Sequence, residues 1–169
     1  SRVVFVSETG PKDNRTKRLA IMDQDGANYK LLKHPPSLVI APRFSPTSNK
    51  IIFTGYETGK PRVYLMDLSS EEITALPELK GMSFAPRFST DGNEIVLSMS
   101  ENGNTDIFIT SLVKGTKRRL TTNSAIDTAP SFSPDGTQVV FESDRGGGQQ
   151  LYIISTKGGE AKRISFGKG

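Results

Sequence analysis

The sequence predicts an all-β fold, a β-propeller made of repeated four-stranded sheets. The first observation is a fixed internal period. The stretch APRFSP at 41–46 returns as APRFST at 85–90 and as APSFSP at 129–134, so the copies begin 44 residues apart. The second is that the short runs between these stretches are β-branched or aromatic and are bounded by turn residues. Four short strands in about 40–45 residues are typical of a propeller blade.

The period extends beyond the opening stretch and divides the chain into units. Apolar runs recur at 51–53, 95–97 and 139–141, and leucine or isoleucine recurs at 32, 76, 120 and 164. We predict one domain of four units, at about 1–40, 41–84, 85–128 and 129–169. The first unit begins at its second strand, so we expect about 15 strands.

This count predicts an open arc of about four blades of a six-bladed ring, truncated at both ends. A closed ring joins its first blade to its last, and the repeats of this chain show no strand that would do so. The arc would expose one blade face at each end. Exposed apolar faces favour association, so self-association through the open blade ends is a further expectation.

Local sequence predicts turns and strands rather than helices. Ser133-Pro134-Asp135-Gly136 places Pro where φ is already near −65° and Gly where a tight reversal needs freedom, which predicts a hairpin turn. The runs 138–141 and 150–154 have the length and composition of strands. The nearest helix candidate, 71–76, lies in register with the strand-like run 119–121, and we predict a strand there too.

Aromatic residues recur at two positions of the repeat, which predicts two layers of packing. Because each blade must bury its faces against its neighbours, the simplest role for a repeated aromatic is structural. We expect the first set to form the core between blades and the second set to fill the next layer outward. The first set is Phe44, Phe88 and Phe132, and the second is Tyr64, Phe108 and Tyr152.

Composition excludes several classes of function. The 169 residues contain no Cys, so no disulfide framework is available. They contain one His, His34, so a catalytic nucleophile–His pair would have to use that residue. The net charge is +4 and the Lys and Arg residues are scattered, which argues against a nucleic-acid interface. No apolar run approaches the roughly 18 residues of a spanning helix. We predict no catalytic residues, no nucleic-acid binding and no membrane insertion.

Two stretches resemble parts of a calcium loop and a phosphate loop, but neither completes the motif. The run 23–28 begins like a calcium loop, but its twelfth position is His34 rather than Glu, so we predict a hairpin turn. The run 55–60 lacks a residue needed for a phosphate loop and is followed by Pro61, where a helix should begin. The run 144–148 is interpreted as a mobile hairpin tip. No metal or cofactor is expected.

The loops that precede each Ala-Pro strand are the candidate functional surface. They span 34–40, 79–84 and 123–128 and carry apolar residues where polar ones are usual in loops. A partner site and packing between blades are both open interpretations. Arg43 and Arg87 lie beside these loops, where they could bind a partner carboxylate or line the mouth of the channel.

The repeat resembles that of the TolB family of β-propellers. The resemblance rests on Ala-Pro-x-Phe-Ser-Pro-Asp-Gly, then x-Ile-x-Phe, then Arg-Leu-Thr, and on the longer stretches 17–28, 59–67, 141–147 and 163–167. It covers nearly all of this chain. Tricorn protease and oligogalacturonide lyase share the repeat, so a substrate-gating propeller of a peptidase or polysaccharide lyase is the alternative.

The resemblance implies a non-catalytic periplasmic scaffold of the Tol-Pal system, which supports outer-membrane integrity and cell-envelope constriction. Family members carry an N-terminal α/β domain, absent from these 169 residues, before a six-bladed propeller. They bind the lipoprotein Pal on a propeller face and TolA through an N-terminal tail that is likewise absent here. The Pal-facing loops correspond to Met82 with Ala85 and to Thr128; some relatives have His where this chain has Met82. Our predicted partner-binding residues are Arg43, Met82, Phe84, Ala85, Arg87, Ile126 and Thr128.

Overall fold

The computed structural model describes residues 1–33, 38–76 and 81–167, and within them it contains 15 strands and no helix. The strands are β1 (Arg2–Thr9), β2 (Thr16–Asp23), β3 (Lys30–Leu31), β4 (Val39–Phe44), β5 (Lys50–Gly55), β6 (Arg62–Asp67), β7 (Ile73–Ala75), β8 (Met82–Phe88), β9 (Glu94–Glu101), β10 (Asn104–Ser111), β11 (Lys117–Arg119), β12 (Asp127–Phe132), β13 (Gln138–Ser143), β14 (Gln150–Ser155) and β15 (Lys162–Arg163). The all-β prediction is therefore confirmed. The helix candidate at 71–76 supplies β7, as the repeat register predicted.

The strands form four antiparallel sheets, each a simple meander. Sheet 1 contains β1–β3, sheet 2 β4–β7, sheet 3 β8–β11 and sheet 4 β12–β15. Consecutive sheets pack face to face, and the first strand β8 also contacts the first strands β4 and β12 of its two neighbours. The first strands therefore lie along the inner side of the arc, and the short fourth strands lie at its rim.

Three apolar clusters fill the spaces between consecutive sheets. The second strand of each four-stranded sheet supplies a fully buried residue at one repeat position, namely Phe53, Leu97 and Phe141. Fully burying a side chain of this size contributes about 1.5–3 kcal/mol relative to leaving it exposed. The clusters therefore supply the main stabilisation between the sheets.

The recurring aromatic residues occupy these clusters, but not in the predicted order of burial. Tyr64, Phe108 and Tyr152 are buried, and the ring of Tyr64 stacks on Phe53 with centroids 5.7 Å apart. The phenylalanines of the Ala-Pro strands pack against the clusters but are only half-buried; they are Phe44, Phe88 and Phe132. The aromatic ring on the third strand of each sheet is thus more deeply buried than the phenylalanine ring on the first strand.

The turn after each inner strand is closed by its own polar side chains. In sheet 4, Ser133 Oγ donates to Asp135 Oδ1 at 2.5 Å, and the Gly136 N–H donates to the Ser133 carbonyl at 2.9 Å. Gly136 has a φ of 70°, which an L side chain rarely adopts. The turn of sheet 2 lacks Asp-Gly, yet it closes in a similar way because the N–H groups of Thr47 and Ser48 both donate to Ser45 Oγ.

Each Ala-Pro pair forms a β-bulge in the inner strand. In sheet 2, Ile40 pairs with Thr54 and Arg43 with Ile52, so two residues oppose one. The same shift occurs in sheets 3 and 4. The bulged alanines are left-handed, with φ of 53°, 52° and 51° at Ala41, Ala85 and Ala129. The repeated Ala-Pro is therefore the sequence of a bulge, in which Ala takes the position that usually favours Gly.

Candidate partner-binding face

One end of the sheets, which we call the loop face, carries both the loops between sheets and the hairpin tips between second and third strands. Hydrogen bonds tie the two kinds of loop together. The Tyr56 N–H donates to the Leu38 carbonyl at 3.0 Å, and the Ile126 N–H donates to Asp144 Oδ1 at 2.9 Å. The described loops of this face are 10–15, 32–33, 38, 56–61, 76, 81, 102–103, 120–126 and 144–149.

Three exposed apolar side chains occupy one repeat position on the loop face. Leu38, Met82 and Ile126 are 44 residues apart and are 43%, 39% and 49% exposed. They stand at the entrance to the inner strand of three consecutive sheets. We call them the apolar row. Large apolar side chains that are exposed in a line are characteristic of protein interaction surfaces.

The next predicted residues lie two positions further along the inner strands. Phe84 and Thr128 are half-buried, and their equivalent in sheet 2, Ile40, is 39% exposed. Ala85 is half-buried at the bulge of β8, with its left-handed backbone. These residues begin on the loop face and continue towards the inner side of the arc.

The two predicted arginines lie beyond the bulges. Cross-strand register puts Arg87 on the same face of sheet 3 as Met82 and Phe84, because their partners on β9 are two residues apart. Arg43 and Arg87 are half-buried, and within the described residues neither forms an ion pair. Arg43 Nη1 donates to the carbonyl of Pro42 at 2.7 Å. The channel-lining and carboxylate-binding interpretations both remain compatible with this position.

A buried ion pair that sequence reasoning missed holds the third loop. Asp127 is fully buried directly after Ile126, and Arg145 Nη2 donates to its two oxygens at 2.9 and 2.7 Å. Arg145 Nε also donates to Ser143 Oγ at 2.9 Å. The guanidinium lies 5.2 Å from the ring centroid of Phe141 and 4.9 Å from that of Tyr152. The hairpin tip that we predicted to be mobile is thus anchored by Arg145.

The sequence contains one signal of this pair. The repeat position of Asp127 is occupied by Val39 in sheet 2 and by Ser83 in sheet 3, so Asp127 alone brings a charge to a buried position. A buried charge requires a partner. Arg145 is 18 residues away, however, and no periodicity indicates it.

A second buried carboxylate lies on the neighbouring strand β10. Asp106 is 3% exposed and accepts hydrogen bonds from Arg119 Nη2 at 2.6 Å and from Asn104 Nδ2 at 2.9 Å. Burial raises the pKa of Asp106, and the Arg119 guanidinium opposes the rise. Its contacts are those of a structural ion pair at the junction of sheets 3 and 4.

The described residues offer little for catalysis or metal binding. They contain no group of three or more His, Cys, Asp and Glu side chains that could hold a metal ion. The calcium-like run at 23–28 forms the turn between β2 and β3, where the Asp23 N–H donates to the Ala27 carbonyl at 2.8 Å. His34 lies outside the described residues. Nor does any helix in the described ranges have the length and apolarity needed to cross a bilayer.

The stacked meanders, the shared apolar clusters and the repeated bulge define a β-propeller assembled from one recurring unit. The sequence model of the family described as the TolB beta propeller domain matches residues 1–169. The chain belongs to this family, and the resemblance drawn from its repeat is confirmed.

Curated relatives point to the same family. The chain is 62% identical over 78 residues to the Tol-Pal system protein TolB of Cereibacter sphaeroides, a match that covers 46% of this chain and 18% of the relative. It is 63% identical over 70 residues to the Tol-Pal system protein TolB of Roseobacter denitrificans, covering 41% of this chain and 16% of the relative. The matched region is therefore less than a fifth of each relative's length.

Solved structures extend the likeness over the whole arc. The crystal structure of TolB from Acinetobacter baumannii is 34% identical, with a TM-score of 0.81 over 98% of this chain and 41% of that chain. A puromycin-hydrolyzing peptidase from Mycobacterium tuberculosis is 16% identical, with a TM-score of 0.71 over 96% of this chain and 26% of that chain. The second likeness shows a shared fold alone.

Proposed function

We propose that the chain is part of a non-catalytic periplasmic scaffold of the Tol-Pal system, which binds the lipoprotein Pal through the loop face. The observation that carries the proposal is the apolar row, three exposed apolar side chains at one repeat position of this chain, which belongs to the TolB propeller family. The predicted partner-binding residues continue inward from this row. Through Pal, the scaffold supports outer-membrane integrity and cell-envelope constriction.

The geometry of the loop face favours binding over gating. A gating propeller leaves the chemistry to another domain and needs only an open channel. Here the third loop is held by the Asp127–Arg145 pair, and the second is tied to the neighbouring sheet, so the apolar row is presented by a rigid support. Pre-organised surfaces bind at a smaller entropic cost.

The test is the affinity of the soluble domain of Pal for single-residue variants, measured by calorimetry. Met82→Glu and Thr128→Glu place a charge in the proposed contact and are expected to weaken binding at least tenfold, because a desolvated charge without a partner is costly. The control is Val113→Glu. Val113 is 75% exposed, in the turn between β10 and β11 at the opposite end of the sheets, and we expect an affinity within about twofold of the wild type.

Wild-type affinity in both Met82→Glu and Thr128→Glu would reject this face as the Pal site. A loss of equal size in Val113→Glu would show that added negative charge, rather than position, weakens binding.

A further inference from the structure

A cavity of about 610 Å³ opens on the loop face between sheets 2 and 3. It is lined by Thr58, Lys60, Arg62, Gly81, Met82 and Ser100. Met82 belongs to the apolar row, so the cavity is continuous with the surface already proposed to bind a partner. Five of its six lining residues are polar, charged or glycine.

Two hydrogen bonds between sheets 2 and 3 fix the walls of this cavity. The Ser83 N–H donates to the Pro61 carbonyl at 3.0 Å, and the Val63 N–H donates to Ser83 Oγ at 3.0 Å. Ser83 is fully buried. Because Pro61 lies between Lys60 and Arg62, these bonds hold the base of both cationic side chains against the start of β8.

The two cations are available to a ligand. Lys60 and Arg62 are exposed, and both line the cavity where β6 begins. Throughout the described ranges, neither forms an ion pair. Two exposed cations beside an apolar rim form a surface that is complementary to an acidic segment.

The next junction of the repeat, between sheets 3 and 4, carries charged residues that are paired with each other. There the repeat position of Arg62 is Asp106, which is buried against Arg119, and that of Met82 is Ile126, next to the Asp127–Arg145 pair. Between sheets 3 and 4 the charges are thus neutralised within the chain. Between sheets 2 and 3, no ion pair joins Lys60 or Arg62 to another residue that the structure describes.

We infer that the cavity between sheets 2 and 3 binds a carboxylate side chain from an acidic segment of a protein partner. Arg62 offers a planar fork that can hold both carboxylate oxygens, and Lys60 adds a point charge. Met82 contacts the methylene stem or an adjacent apolar residue. The inference rests on the proposed role of the loop face in partner binding and names the group that this face recognises.

The first experiment uses a blocked tetraglutamate peptide as the probe, followed by the amide chemical shifts of the chain. We expect saturable shifts at Thr58, Gly81, Met82 and Ser100, and binding about five- to tenfold weaker in Lys60→Gln/Arg62→Gln, since each exposed charge pair contributes modestly. The matched control is Lys114→Gln/Lys157→Gln, which removes the same charge from exposed positions at the opposite end. Equal weakening in both double variants, or shifts confined to other residues, would overturn the inference.

The second experiment separates this inference from the proposed function. The soluble domain of Pal should bind Lys60→Gln/Arg62→Gln more weakly and with a smaller dependence on salt than the wild type. Unchanged Pal affinity in that variant would overturn the assignment of the cavity to the partner. If wild-type chain binds no Pal at all, the proposed function fails, and the peptide titration alone decides whether the cavity takes a carboxylate.

Discussion

Arg145 and Asp127 form a buried ion pair in which one guanidinium nitrogen donates to both carboxylate oxygens, at 2.9 and 2.7 Å. The pair joins the hairpin tip after β13 to the start of β12. Asp127 follows Ile126 directly, and the Ile126 N–H donates to Asp144 on the same hairpin. One apolar residue of the loop face is therefore positioned by an electrostatic contact beneath it.

Replacing Arg145 should be costly. Arg145→Met is expected to lower the free energy of unfolding by about 3–5 kcal/mol, because it leaves Asp127 buried and uncompensated. Denaturant unfolding measures the change. The control is Arg15→Met, whose partner Glu8 is exposed and whose loss should cost less than about 1 kcal/mol. Similar losses in the two variants would contradict the importance of the buried pair.

The bulge should tolerate glycine but reject a β-branched residue. Ala129 is exposed with a φ of 51°, so Ala129→Val changes the backbone preference with little change in packing. We expect a loss of about 1–2 kcal/mol in stability, because left-handed backbone is poorly compatible with a branched Cβ. Ala129→Gly should stay within about 1 kcal/mol of wild type, since relief of strain offsets the entropy of Gly. A stable Ala129→Val variant would argue against the bulge geometry.

Gly81 should be intolerant of even one methyl group. A Cβ at this position would overlap the backbone carbonyl oxygen of Ser100 on β9, which cannot move without disturbing the sheet. Gly81→Ala is therefore expected to lower the thermal midpoint, at a cost of about 1–3 kcal/mol. The matched control is Gly148→Ala, where no atom lies within 4 Å of the new Cβ. Equal midpoints for both variants would be inconsistent with the close approach of Gly81.

Asp106 should make the chain less stable as pH rises. Burial raises the pKa of Asp106 in the folded state, so the folded state holds this proton more tightly than the unfolded chain. The stabilisation that Asp106 provides is largest below its unfolded pKa of about 3.9, and it is lost as pH rises through the higher folded pKa. Relative to Asp106→Asn, the wild type should therefore lose stability across this window. A difference that does not change with pH would contradict the raised pKa.

Asp135 should have the opposite dependence. Hydrogen bonds from the Ser133 hydroxyl and from Thr137 lower the pKa of Asp135. Its contribution is present above the unfolded value of about 3.9 and is lost as pH falls through the lower folded pKa. Ser133→Ala removes the hydroxyl that donates to Asp135. The stability of this variant should therefore fall less steeply with decreasing pH than that of the wild type. An unaltered acid transition would show that this turn does not hold the carboxylate.

The sequence predicts the fold well because the repeat constrains it four times. Each position of the Phe53 and Tyr64 type is sampled in several units, and packing requires the same kind of residue each time. The site is less accessible to such reasoning. Asp127 and Arg145 form a pair that occurs once. Lys60 and Arg62 gain significance only by comparison with the next junction, where the charged residues are paired with each other. The repeat period predicts the residues that the units share, whereas binding specificity depends on the residues that differ between units.

The Ala-Pro bulge has a consequence for how each inner strand is divided. In a regular strand, Ile40 and Arg43 would point to opposite faces of the sheet, but the extra residue puts them on the same one. The residues before the bulge therefore alternate between the two faces of the sheet out of phase with the residues after it. Deleting Ala129 would merge the two phases and turn the side chains before it to the other face.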